Sequence, residues 1–205
     1  MRAITRIGLV VGSLIVPLFL AMGPSVAQSD SVASTSATSG SNARIAGRIP
    51  SKKRWLRDVH KALHKAHARH YASVRAQSGE AKLAINFDID NTVIASHFGG
   101  GAIPEMLRFT RFAHRLGYAI LFNTGRNESA RAKTLAELRR NHFRVDGLCM
   151  RQTGERLVPS KKRCRREYIQ QGFTLVENVG NSPSDMQGRG YERRVRLPNY
   201  GGRIL

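Results

Sequence analysis

Apolar and polar residues along this chain fall into distinct regimes. Residues 7–23 form an uncharged, mostly apolar run. From 28 to about 49, Ser, Thr, Ala and Gly predominate without apolar periodicity, which predicts a flexible linker. Over 51–75, Trp55, Val59, Ala62, Leu63 and Ala66 recur at helical spacing, predicting one amphipathic helix. After about residue 81 the pattern alternates. Short strand-like runs at 82–87, 119–122, 145–150 and 174–179 are separated by helical stretches at 103–116, 128–142 and 160–171. In the first of these helices, Met106, Phe109, Phe112, Ala113 and Leu116 share the inner face. Gly117 and Gly172 stand where the first and last should end. Strands alternating with helices predict an α/β, Rossmann-like parallel sheet with right-handed crossovers and helices on both faces. The expected organisation is therefore a leader over 1–27, a linker over 28–49, a helix within 50–80, and an α/β domain over 81–205.

The leader carries Arg2 and Arg6 before the apolar run and small residues at Ser25-Val26-Ala27 after it, the layout of a cleavable secretory signal. The run is short for a span and broken by Pro17, which argues against an uncleaved anchor. Export is thus expected, with no membrane contact after cleavage. In that setting Cys149 and Cys164 either pair or remain two semi-buried thiols. Pairing would stabilise the fold by about 3 kcal/mol on the loop-entropy model.

Charge sharpens the picture. The chain has 205 residues, with 34 Lys and Arg against 14 Asp and Glu, a formal charge of +20. Such an excess favours polyanionic partners without choosing among them. On the N-terminal helix, Arg54, Arg57, Lys61, Lys65 and Arg69 form a basic stripe beside His60, His64 and His67. A packed helix with a solvated basic side is the simpler reading. A polyanion-docking surface, stronger as the histidines protonate, is the sharper one.

The strand ends carry the chemistry, because ligands of open α/β sheets sit at the carboxyl ends of the strands. Asp88, Asp90 and Thr92 follow the first strand; Thr124, Gly125 and Arg126 follow the second. Ser160-Lys161-Lys162 is expected at the start of the last helix, and Gly180-Asn181-Ser182-Pro183-Ser184-Asp185 follows the fourth strand. Acids two residues apart leave a strand on the same side, so one can attack while the other handles a proton. A hydroxyl and backbone N–H at Thr124 and Gly125 can hold phosphoryl oxygens. A lysine neutralises charge, and a further acid completes a hard oxygen site for Mg²⁺. For Arg126, substrate contact and helix-start packing both stand. His97, beside Gly99-Gly100-Gly101, is a candidate for the site's mouth.

These four motifs, in this order, resemble the haloacid dehalogenase (HAD) superfamily, specifically its secreted acid-phosphatase branch of class B-like and plant vegetative-storage-protein relatives. The resemblance covers about residues 82–205. It implies a phosphatase with Asp88 as nucleophile and metal ligand, and Asp90 as general acid and base with its backbone carbonyl on Mg²⁺. Thr124 would be the phosphoryl contact, Lys161 the stabilising lysine, and Asp185 the remaining metal carboxylate. Lys162 is the rival to Lys161, which its spacing to Gly172 favours. Where the family commonly has a second acid in the fourth motif, this chain has Asn181, an amide that can ligate a cation but adds no charge. The segments between motifs are too short for a large cap domain. An open site that admits bulky or polymeric phosphomonoesters is expected, shielded by the glycine-rich loop, the N-terminal helix or a second copy of the chain. The competing readings are a polyanion-binding module with weakened or lost catalysis, and a phosphotransferase.

Overall fold

The run Leu83 to Phe87 is apolar but for Asn86, and a strand so composed must be covered on both faces. In the computed structural model it forms β1 (Lys82–Phe87), the middle strand of a five-stranded parallel sheet. The structure describes residues 49–64 and 68–205, the side chains of residues 64–70 excepted. The expected leader, nearly all of the linker, and Lys65, Ala66 and His67 lie outside the described residues, as do the side chains of His64 and Arg69.

The strand order is β3-β2-β1-β4-β5, with β2 Ala119–Asn127, β3 Gly147–Arg151, β4 Phe173–Gly180 and β5 Arg193–Arg196. The larger core layer joins Ile85, Phe87, Ile120, Phe122 and Val179 of the sheet to residues of α1 (Lys52–His64), α2 (Ala68–Gln77), α3 (Pro104–Arg115) and α4 (Arg131–Arg140). On the opposite face, α5 (Leu157–Gln170) places Cys164 and Tyr168 against Ala84, Leu121, Cys149 and Leu175. Cys149 and Cys164 are joined by a disulfide, their Cα atoms 5.5 Å apart, which ties β3 to α5. Among the described residues, β1 and β2 are linked by one short 3₁₀ turn and α3, and β2 and β3 by one short turn and α4. No cap domain is inserted at either place.

Local chemistry explains several boundaries. Pro104 opens α3 at a position needing no amide donor, Glu105 lies in its first turn, and His114 and Arg115 lie in its last, favouring the helix dipole at both ends. The inner face of α3 is as expected, with Met106 and Ala113 buried and Phe109, Phe112 and Leu116 packed on the core, although Thr110 is buried too.

Three expectations need correction. The helix expected over 51–75 is described as α1 and α2 on either side of residues 65–67, which lie outside the described residues. Trp55, Val59 and Leu63 are buried as expected in α1, and Tyr71 is buried in α2. Strand β2 continues to Asn127, so Thr124, Gly125 and Arg126 lie within its last turn of backbone rather than after it. Pairing with β3 persists through Thr124 opposite Met150 and resumes, after an irregularity, at Asn127 opposite Arg151. Helix α5 starts at Leu157, because Pro159 is tolerated within a first turn, and Lys161 therefore sits one turn inside it. Finally, β5 is an edge strand carrying three arginines around one buried residue, Val195, so it has no apolar signature, and its charges suit an edge.

Candidate active site

The sheet brings three of the four motifs to a single point through Lys161. Its ammonium, buried beneath the carboxyl ends of β1 and β4, lies 2.6 Å from Asp88 Oδ1 and 2.8 Å from Asp185 Oδ1. It also donates to the backbone carbonyl of Asn123 at 2.5 Å, and the Asn123 side chain returns a 2.9 Å bond to the carbonyl of Lys161. Lys161 is thus locked to β2 as well as to the two acids. Lys162 is directed elsewhere, toward Gly188.

Asp88 accepts a second bond from Thr92 Oγ1 at 3.1 Å. Burial pushes its carboxyl up to about 7, and the nearby Asp185 adds to this against the opposing pull of Lys161. Lys161 is shifted upward: burial opposes its charge, but Asp88 and Asp185 outweigh that cost. Asp185 has two tasks. While Oδ1 faces Lys161, Oδ2 accepts the backbone N–H of Ser182 at 2.9 Å and so caps the short turn Pro183–Met186. The helix-capping role common for an acid after a strand and the site role coexist in one side chain. Gly180 makes room for it, since a Cβ there would come within 2.5 Å of Asp185 Cβ.

Asp90 is turned away from this cluster. Arg126 grips both its oxygens, Nε to Oδ2 at 2.8 Å and Nη2 to Oδ1 at 2.6 Å, and reaches Glu137 of α4 with Nη1 at 2.5 Å. Ser96 Oγ donates to Asp90 Oδ1. Burial raises the Asp90 carboxyl, but the hydrogen bonds from Arg126 and Ser96 more than offset this and hold it below the usual carboxylate range. Arg126 is correspondingly raised, first by Asp90. The side chain thus joins a site acid, Asp90, to Glu137 of α4. Thr124 is fully buried and its hydroxyl accepts the N–H of Arg126 at 3.2 Å; a Cβ at Gly125 would strike Leu157 at 2.6 Å. His97 is exposed with its ring against Phe98, and it is the neighbouring Ser96 that reaches Asp90.

The donor chemistry fits a hard dication. Two buried carboxylates share one ammonium, which leaves a deficit of positive charge. Asp88, Asp185, the backbone carbonyl of Asp90 and the amide oxygen of Asn181 are the residues' oxygens that would hold Mg²⁺. The amide nitrogen of Asn181 is committed elsewhere, donating to the carbonyl of Ile204 at 2.7 Å. The thiols offer no rival site, since Cys149 and Cys164 lie near Glu167 but are spent in the disulfide.

A supporting shell lay beyond the sequence reading. Arg165, one turn after Lys161 on α5 and fully buried, donates to the carbonyls of Asp185, Gln187 and Arg189, clamping the fourth-motif loop. Asn86 Nδ2 bonds Asn178 Oδ1 at 2.5 Å, and Asn178 Nδ2 bonds the carbonyl of Asp185 at 2.9 Å. Asn91, held at φ 52°, donates to the carbonyl of Leu205 and accepts the N–H of His97. Polar residues inside central strands, where apolar ones are the rule, were the available signal for Asn86 and Asn178.

The model of the family described as HAD superfamily, subfamily IIIB (acid phosphatase) matches residues 100–203. The chain belongs to that family. The match contains Thr124, Arg126, Lys161, Asn181 and Asp185, whereas Asp88 and Asp90 precede it. Two soybean (Glycine max) proteins, named stem 28 kDa glycoprotein and stem 31 kDa glycoprotein, are each 30% identical to it over 105 residues. That is 48% of this chain and 41% and 36% of theirs, so the chain matches less than half the length of these relatives. Among solved structures, a class C acid phosphatase from Bacillus anthracis with tungstate bound superposes with a TM-score of 0.58 at 17% identity. The overlap covers 73% of this chain and 79% of that one, a likeness of fold. The description of subfamily IIIB names acid phosphatase as its activity.

Proposed function

We propose that this chain is a secreted, Mg²⁺-dependent phosphomonoester hydrolase that works through an aspartyl phosphate on Asp88. The observation that carries this reading is the single ammonium of Lys161 joining Asp88 to Asp185, with Asp90 two residues along the same strand end. In the first step a carboxylate oxygen of Asp88 bonds to phosphorus as the ester bond breaks, and the bonding pair leaves with the alcohol oxygen. Asp90, which must first take up a proton against the pull of Arg126 and Ser96, gives it to that oxygen. In the second, water attacks the aspartyl phosphate and Asp90 takes its proton; phosphate leaves and the Asp88 carboxylate is restored. Lys161, Thr124 and the N–H of Gly125 hold the phosphoryl oxygens in both steps, with Arg126 ordering Asp90 beside them. Bound Mg²⁺ would add positive charge against the phosphoryl group.

Secretion is supported by the leader-like pattern of residues 1–27 and by the Cys149–Cys164 disulfide, which suits an oxidising compartment. No helix among the described residues is long and apolar enough to cross a membrane. The outer side of α1 keeps exposed cations at Lys52, Lys53 and Arg57, while Arg54 and Lys61 stand near Asp58. We assign that side a docking role for bulky polyanionic substrates, separate from the chemical step.

The test is phosphate release from p-nitrophenyl phosphate with Mg²⁺ and after exhaustive chelation, using wild type and Asp88→Asn. Turnover should need the metal and should vanish in Asp88→Asn with the fold intact. Beryllium fluoride with Mg²⁺ should attach at Asp88 in a crystal. A fully active Asp88→Asn protein would overturn the covalent step, and activity indifferent to chelation would overturn the metal.

A further inference from the structure

Asp90 also lines a cavity of about 360 Å³, together with Ser96, Gly100, Arg126, Lys133 and Glu137 and with Ala130 and Thr134 of the same stretch of chain. A general acid must reach the ester oxygen it protonates, so the group attached to that oxygen lies where the Asp90 carboxylate faces open space. On the phosphatase reading above, this cavity is the place for the leaving alcohol. Its lining is a poor match for an aryl ring, because Ala130 is the one apolar side chain in it.

The unspent hydrogen-bonding capacity decides what it suits. Arg126 has five N–H donors, of which three are used on Asp90 and Glu137, leaving two. Lys133 projects from α4 with an exposed side chain and makes no hydrogen bond or ion pair with the described residues, leaving three. Arg126 is already neutralised by two acids at 2.6 and 2.5 Å. Lys133 is the cation of this cavity that has no acid of its own. Asp90 and Glu137 balance the two cations in sum, but both acids lie on Arg126, so the unpaired ammonium of Lys133 and the five free donors suit an anion held on the Lys133 side.

We propose that this cavity selects phosphomonoesters whose alcohol carries a second phosphate, held by Lys133 and the spare N–H groups of Arg126. Lys133 is here a specificity residue that does not touch the reacting atoms. The reading follows from the placement of the cavity and its donors, and it rests on Asp90 being the proton donor to the leaving group.

The experiment compares adenosine 3′,5′-bisphosphate with adenosine 3′-monophosphate, with p-nitrophenyl phosphate as a substrate lacking the second anion. For wild type, kcat/KM should favour the bisphosphate. Lys133→Gln should lower that preference by about tenfold, the effect of losing one charge-assisted contact. Lys133→Arg should restore it, and in Lys133→Gln the aryl phosphate rate should fall by less than the bisphosphate rate. Equilibrium binding of the two nucleotides to Asp88→Asn protein, with and without Lys133→Gln, reads the cavity independently of turnover. If no phosphomonoester is hydrolysed, the phosphatase reading fails while the binding comparison still decides the cavity. An absent bisphosphate preference in wild type, or a preference unchanged in Lys133→Gln, would overturn the proposal.

Discussion

The guanidinium of Arg126 holds both carboxylate oxygens of Asp90, at 2.8 and 2.6 Å, and is itself anchored to Glu137 on α4. A planar fork can serve two oxygens in fixed directions; an ammonium cannot. Arg126→Lys should therefore release the aim of Asp90 and lower kcat for p-nitrophenyl phosphate by about tenfold or more, a part of the roughly 10²–10⁴-fold that general acid–base catalysis contributes. KM should move little. Glu137→Gln should produce a smaller loss in the same direction. In Arg126→Ala, added guanidinium should recover part of the lost rate. Full kcat in Arg126→Lys would show that Asp90 is aimed by Ser96 alone.

Lys161 is the one ammonium between two buried carboxylates. Lys161→Met removes the charge and leaves Asp88 and Asp185 facing each other, which should destabilise the fold by about 3–5 kcal/mol. A dication binding the same oxygens offsets that repulsion. Thermal melts of wild type and Lys161→Met, each with Mg²⁺ and with chelator, should show the larger Mg²⁺-dependent rise in the variant. Equal shifts in both proteins would place the metal away from Asp88 and Asp185.

What the sequence revealed and what it hid have one physical boundary. The convergence of Asp88, Lys161 and Asp185 was legible because it depends on residue type and on lying at strand ends or near a helix start, which local patterns specify. The sheet was legible as far as strands were apolar; β5 was not, because an edge strand with Arg193, Arg194 and Arg196 buries one residue. The contacts of Arg126 were hidden because they depend on where α4 carries Glu137 and how the loop after β1 presents Ser96. Arg165 was hidden for a related reason. Its partners are three backbone carbonyls 20 to 24 residues away, and no residue type marks a carbonyl as a partner.

Asn181 shows how a sequence-level contrast changes with its surroundings. By charge alone, Asn181→Asp should strengthen a magnesium site. In the structure the amide nitrogen donates to the carbonyl of Ile204 at 2.7 Å, so the substitution sets an acceptor against an acceptor. Without metal, Asn181→Asp should lose about 1–3 kcal/mol, the cost of an unsatisfied buried group. With saturating Mg²⁺ the deficit should shrink, because the new carboxylate gains a cation. Denaturant melts of both forms, with and without Mg²⁺, check this. A deficit that is the same in both conditions would place residue 181 outside the metal shell.

Glu177 gives a pH-dependent prediction away from the site. It lies fully buried in β4, in register between Ile85 of β1 and Arg193 of β5, and neither carboxylate oxygen has a hydrogen-bond partner among the described residues. Burial pushes its carboxyl up from 4.5 to about 7, against a lowering pull from Arg193. Between those values the folded chain keeps a proton on Glu177 that the unfolded chain has released. Raising pH through this window therefore weakens the fold, and the full penalty is present above about 7. Glu177→Gln removes the titration while nearly keeping the shape. The stability of the variant relative to wild type should climb as pH rises from about 4.5 to 7 and then level off, by up to roughly 3 kcal/mol. Urea denaturation at a series of pH values measures the difference directly. A difference that stays flat across the window would mean that Glu177 ionises in the folded chain as readily as in the unfolded one.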